Sequence, residues 1–109
     1  MHAQILPPAA VVRVSRGTFD PARFAEVRAM SEATSRYLIP AISKLPGLIS
    51  YQVGTSPAGS TVHISVWESE EHASQMSRLK EMIVDARQAV ESVGVEFTPI
   101  EHYPFDWRI

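Results

Sequence analysis

Apolar and polar residues alternate along three stretches of the chain and recur at helical spacing along two others. From Ala9 to Arg16, Val12 and Val14 alternate with Arg13 and Ser15, the period of a strand, and Gly17 ends the run. Asp20-Pro21 then opens a helix. The aspartate accepts hydrogen bonds from free backbone N–H groups, and the proline occupies the first helical position, where its missing N–H costs nothing. Phe19 and Phe24 have the spacing of a hydrophobic staple, and Phe24, Val27, Met30, Thr34 and Leu38 continue one helical face. Pro40 is expected to kink or stop this helix, with a further turn over Ala41 to Leu45 before Pro46-Gly47. Leu48 to Ser56 and Thr61 to Glu68 are two strands joined by the turn Pro57-Ala58-Gly59-Ser60, an antiparallel hairpin. Ser69 caps the next helix, and Glu70 and Glu71 in its first turn suit the helix dipole. Ala73, Met76, Leu79, Ile83, Ala86, Val90 and Val93 keep helical spacing, with room for a break between Arg78 and Lys80. Gly94 is placed to cap this helix, Val95 to Tyr103 is the last strand, and an aromatic tail follows from Pro104.

The order strand, helix, strand, strand, helix, strand predicts a ferredoxin-like α+β fold, βαββαβ, with both helices on one face of a four-stranded antiparallel sheet. Residues 1–8 read as a leader, and residues 9–109 as one domain. One sheet face is left without helices. On the third strand, Val62, Ile64 and Val66 suit the helix side, which turns His63, Ser65 and Trp67 to the free face. The last strand sets Phe97 and Tyr103 against Thr98, Ile100 and His102 without fixing which set points inward. A free face bearing Trp67 is an aromatic patch that monomers seldom keep, so a homodimer is expected, with a ligand pocket between the two sheets.

The length, 109 residues, suits one domain, and a chain this short leaves much surface exposed. The formal net charge of −2 comes with no basic stripe, which argues against a nucleic-acid partner. The absence of cysteine excludes disulfides, thiolate catalysis and sulfur-ligated metals, and the absence of asparagine excludes N-glycosylation. The N-terminus does not read as a signal peptide, and no apolar run approaches the roughly 20 residues of a membrane span. A cytoplasmic location is the default expectation. No Gly-x-Ser-x-Gly elbow, phosphate-binding glycine loop or His-Glu-x-x-His array occurs, so no metal is expected.

The element order, Leu45-Pro46-Gly47-Leu48, and the run Ser65-Val66-Trp67-Glu68-Ser69-Glu70-Glu71-His72-Ala73 resemble the antibiotic biosynthesis monooxygenase domains over about residues 9–104. The resemblance implies a dimeric α+β barrel and a small-ligand function. Some members are monooxygenases without a cofactor, which pair a tryptophan with an asparagine on the barrel-facing strand. Trp67 matches that tryptophan, and the asparagine place is His63 here. Haem-degrading members need an asparagine and a helix histidine that this chain does not match, so no cofactor is expected.

Each candidate has two readings. His63 is either a general base for a phenolic proton or a histidine lining a pocket or interface. Trp67 either positions an aromatic ring or anchors the interface. Arg13 and Tyr51 either steady a substrate anion or serve interface and core. Ser65 accompanies them as a ligand contact, and Arg87 either reaches the pocket mouth or is an exposed helix arginine. Two functions follow: a cofactor-independent monooxygenase acting on an electron-rich phenol or hydroquinone, with His63 and Trp67 as its catalytic pair, or a non-catalytic dimeric module binding a small aromatic or apolar molecule.

Overall fold

The computed structural model describes residues 6–109, so the first five residues of the expected leader lie outside the described residues. Strand β1 (Val11–Thr18) lies at the centre of the sheet, strand β2 (Leu48–Ser56) at one edge, and β3 (Ser60–Trp67) between them. The last strand is two short pieces, β4 (Glu96–Phe97) and β5 (Glu101–Pro104), which both pair with the far side of β1. Every pairing is antiparallel, and the order β2-β3-β1-β4 is that of the ferredoxin-like fold. The expected single fourth strand is divided because Pro99 has no N–H to give the ladder. Across the gap, the Thr98 N–H still donates to the Arg16 carbonyl at 2.9 Å.

Helix α1 (Phe24–Ser43) follows a single tight turn over Pro21–Arg23. Asp20 caps that turn as its sequence position requires, its carboxylate accepting from the Ala22 N–H at 3.0 Å. Phe19, Phe24, Val27 and Val95 pack in one cluster, so the staple closes onto the start of β4. The helix runs through Pro40 and does not stop there. Pro40 and Arg36 are on the exposed side, where water can satisfy the Arg36 carbonyl that Pro40 leaves without a donor.

Ser69 caps the second helical segment, its hydroxyl accepting from the His72 N–H at 3.2 Å. The segment is not one helix. Helix α2 (Glu70–Ala73) tightens over Ser74–Arg78, and Leu79 is extended. Glu81–Ala86 is then wound as a π-helix, which passes into α3 (Arg87–Ser92). The break falls where the sequence left room for it. Gly94 ends α3 with φ +75°, a conformation open to glycine. Gly47, at φ +80°, turns the chain into β2. Its carbonyl accepts from the Glu68 N–H at 2.8 Å, and a Cβ there would strike the His72 ring.

The two faces of the sheet are the reverse of the expectation. Paired residues share a face, and the buried positions are Val11, Arg13 and Ser15 on β1 and Thr61, Ser65 and Trp67 on β3. These look toward the helices. Val12, Val14, Val62 and Val66 are only partly covered, and Ile64 is 39 % exposed. They form an apolar stripe on the face without helices. A bulge at Ile49 shifts β2, so that Tyr51 and Val53 stand beside Ser65 and His63 on the helix side. On the far edge, Phe97 lies opposite Gly17 and His102 opposite Arg13, so both face inward, while Glu101 and Tyr103 face outward.

Candidate functional site

The helices do not lie flat on this inner face. Between them and the sheet is an open cavity of about 920 Å³. That is the upper end of the size range for small-molecule sites. Its floor carries Arg13 and Ser15 from β1, Tyr51 from β2 and His63 from β3. Apolar side chains form the walls: Leu38 and Ile42 from α1, Met82 from the π-helix, Met76 and Phe97. Arg87 of α3 is exposed at the mouth. The π-helix places Met82, Ile83 and Ala86 along one side of the cavity, a use for which such widened turns are known.

The floor is polar in a largely apolar chamber, and two of its groups are bonded to each other. The Tyr51 hydroxyl and His63 Nδ1 are 2.8 Å apart. Their rings stand at 90° with centroids 5.8 Å apart, and Phe97 meets the other side of His63 at 6.3 Å and 77°. Burial lowers the His63 pKa to about 4, with the positive charge of Arg13 adding to the effect. The imidazole is therefore neutral at pH 7. Burial raises the Tyr51 pKa to about 12, opposed in part by Arg13, so the phenol keeps its proton. Arg13 itself is held below the usual arginine pKa by burial, an effect that Tyr51 offsets in part. An arginine stays charged nonetheless.

The structure brings four of the six sequence-derived candidates to this cavity: Arg13, Tyr51, His63 and Arg87. It places the other two elsewhere. Trp67 is 0 % exposed, packed among Val11, Leu38, Ile42, Ala73 and Met76, so no ligand in the cavity stacks on it. Its indole Nε1–H donates to the Ser65 Oγ at 2.9 Å. Ser65, 1 % exposed, sits opposite both Arg13 and Tyr51 in the sheet and supports them without lining the cavity. The pocket expected between two sheets is instead a space within one chain, between sheet and helices. Residues beyond the sequence candidates also line it, among them Ser15, Thr34 and Phe97. The polar alternation of β1 signalled Ser15; nothing in the sequence pattern signalled the inward turn of Phe97. Among the described residues, no group of three or more His, Cys, Asp or Glu side chains forms a possible metal site, and no helix is long and apolar enough to cross a membrane.

This α+β fold is shared with solved proteins described as antibiotic biosynthesis monooxygenases and oxygenases. A protein from Caulobacter crescentus described as a candidate antibiotic biosynthesis monooxygenase matches with a TM-score of 0.69 at 16% identity, over 92% of each chain. The monooxygenase from the gene ActVA-Orf6 of Streptomyces coelicolor, solved in complex with the ligand nanaomycin D, matches with a TM-score of 0.66 at 21% identity, over 94% of each chain. A mutant of SnoaB, a cofactor-independent oxygenase from Streptomyces nogalater, matches with a TM-score of 0.57 at 19% identity, over 93% of this chain and 95% of that one. No protein-family model and no curated protein sequence matches the chain.

Proposed function

We infer that the cavity is the active site of a monooxygenase that needs no cofactor and acts on an electron-rich aromatic bearing an ionisable hydroxyl. The observation that carries this reading is the polar floor: a neutral imidazole bonded to Tyr51, with the Arg13 cation on the adjoining strand, at the base of an apolar chamber. The likeness in fold to a cofactor-independent oxygenase and to a monooxygenase solved with nanaomycin D supports it.

The chemistry follows from the residues. In the tautomer with its proton on Nδ1, His63 donates to the Tyr51 oxygen, and Nε2 keeps a lone pair as general base. Tyr51 is a positioning residue that fixes this ring. Loss of the hydroxyl proton to Nε2 leaves an anion beside an imidazolium and the Arg13 guanidinium, in a low-dielectric site where such charges act strongly. The electron-rich ring carbon then reduces oxygen. One oxygen atom enters that carbon as a carbonyl, the other leaves as water with two substrate hydrogens, and the substrate supplies all the electrons.

A second copy of the chain covering Val12, Val14, Val62, Ile64 and Val66 completes the proposal, because a bare apolar sheet face is costly in water. The site itself lies within one chain. Oxygen uptake with anthrone-type and hydroquinone substrates tests the catalytic reading, with quinone formed one for one with oxygen consumed. His63→Ala should lower turnover about 10²- to 10⁴-fold while the fold is kept. Undiminished turnover in that variant removes His63 as the base. Binding without any oxygen uptake by the wild type would favour the non-catalytic module.

A further inference from the structure

Arg13 is 4 % exposed, yet its side chain makes no hydrogen bond or ion pair with any described residue. None of its nitrogens is sealed away without a partner, so the guanidinium opens on the cavity that it lines. Its neighbours in the sheet offer no negative charge. Ser65 stands opposite on β3, with its Oγ already accepting from the Trp67 indole, and His102 stands opposite on β5, paired to Glu70 at 3.5 Å. Among the described residues, the only carboxylate lining the cavity is Glu91 on α3, exposed at the mouth. A buried cation with no counter-ion is unfavourable unless something supplies the missing charge. A guanidinium carries five donors in a planar fork that a carboxylate meets in bidentate fashion. A lone phenol oxygen fills much less of that fork.

His63 fixes where the rest of the ligand lies. Arg13 pairs with Ser65, and Ser15 pairs with His63, so Arg13 and His63 are diagonal neighbours on adjacent strands of the inner face. Such neighbours are about 7–8 Å apart at the backbone and within reach of long side chains at their tips. Building on the reading of this cavity as the ligand site, we propose that the ligand is an aromatic hydroxy acid, with its carboxylate on Arg13 and its hydroxyl at His63 on the adjoining ring carbon. The carboxylate neutralises the floor, and the flat ring fills the space between Leu38, Ile42, Met82 and Phe97. Arg13 is then a specificity-determining residue.

The test is binding under nitrogen, where no oxygenation occurs, so that it stands or falls apart from catalysis. The probes are an ortho-hydroxynaphthoate and the naphthol that lacks its carboxylate, titrated calorimetrically into the full chain. The acid should bind at least about tenfold more tightly than the naphthol, the scale of one charge-assisted bidentate contact. Arg13→Met, which keeps the length of the side chain and removes its charge, should abolish that preference, and Arg13→Lys should keep part of it. Equal affinities in the wild type, binding of neither probe, or a preference that survives in Arg13→Met overturns the assignment. The wild-type comparison decides the matter even where the methionine variant does not fold.

Discussion

The neutral His63 ties the stability of the fold to pH in a direction opposite to that of a salt-bridged histidine. In the folded protein its pKa is about 4, against 6.5 for an unhindered imidazole. The unfolded chain therefore takes up the proton first, and folding stability falls as pH drops below 6.5, levelling off once pH passes below about 4. At 1.36 kcal/mol per pH unit the full difference is roughly 3 kcal/mol, of which roughly 2 kcal/mol is gone by pH 5. That is a large part of the stability of a small domain. Above pH 7 the group is neutral in both states and contributes nothing. His63→Gln isolates the effect, because glutamine keeps a partner for the Tyr51 hydroxyl and has no proton to gain. Urea unfolding at pH 8, 6, 5 and 4 on both proteins gives the two profiles, and their difference cancels the carboxylates that titrate in the same range. Wild type should lose stability relative to the variant by about 2 kcal/mol between pH 8 and 5. Parallel profiles would refute the reasoning, since they would mean that His63 reaches water freely in the folded state.

Trp67→Ala should cost about 3–5 kcal/mol in urea unfolding, the range for emptying a packed aromatic site; a loss below about 1 kcal/mol would contradict its place in the core. Ile64→Lys puts a charge in the middle of the apolar stripe on the uncovered face, and in sedimentation should convert the proposed dimer to monomer without disturbing the fold by circular dichroism. A wild type that is monomeric at all concentrations, or a lysine variant that stays dimeric, would remove that face as the interface.

The element order could be read from the chain because local chemistry agrees with the fold at each boundary. Asp20-Pro21, Pro46-Gly47, Ser69 and Gly94 each stop or start an element in the structure. Local rules fell short where two signals competed. Pro40 stays in its helix because the orphaned carbonyl of Arg36 faces solvent. The last strand lost its simple alternation because Thr98, Pro99 and Ile100 interrupt the ladder, leaving Phe97 and His102, five residues apart, on the same face. Ile49 does the same for β2 through its bulge. Strand parity survives only as far as the ladder is unbroken.

The inverted sheet has a different cause, one that bears on the site itself. Alternation divides a strand into two sets but does not say which set is inside. The usual guide is that apolar side chains face the helices, and by that guide Val62, Ile64 and Val66 belong there. The guide assumes that the helices press on the sheet to make a solid core. Here the solid core is confined to one end, around Trp67 and Met76, and to the cluster of Phe19, Val27 and Val95. Between them the helices stand off from the sheet over a cavity, and its floor is Arg13, Ser15, Tyr51 and His63. Polar side chains are tolerated on a helix-facing surface only where something polar meets them, whether bonded neighbours, water or a ligand. Tyr51 and His63 meet each other. The Arg13 side chain hydrogen-bonds to no described residue and opens on the cavity, where the proposed carboxylate would meet it. Arg13, flanked by Val12 and Val14 in the first strand, therefore faces the cavity on the helix side, contrary to that guide. The valines opposite it then become the signature of a second surface rather than of the core.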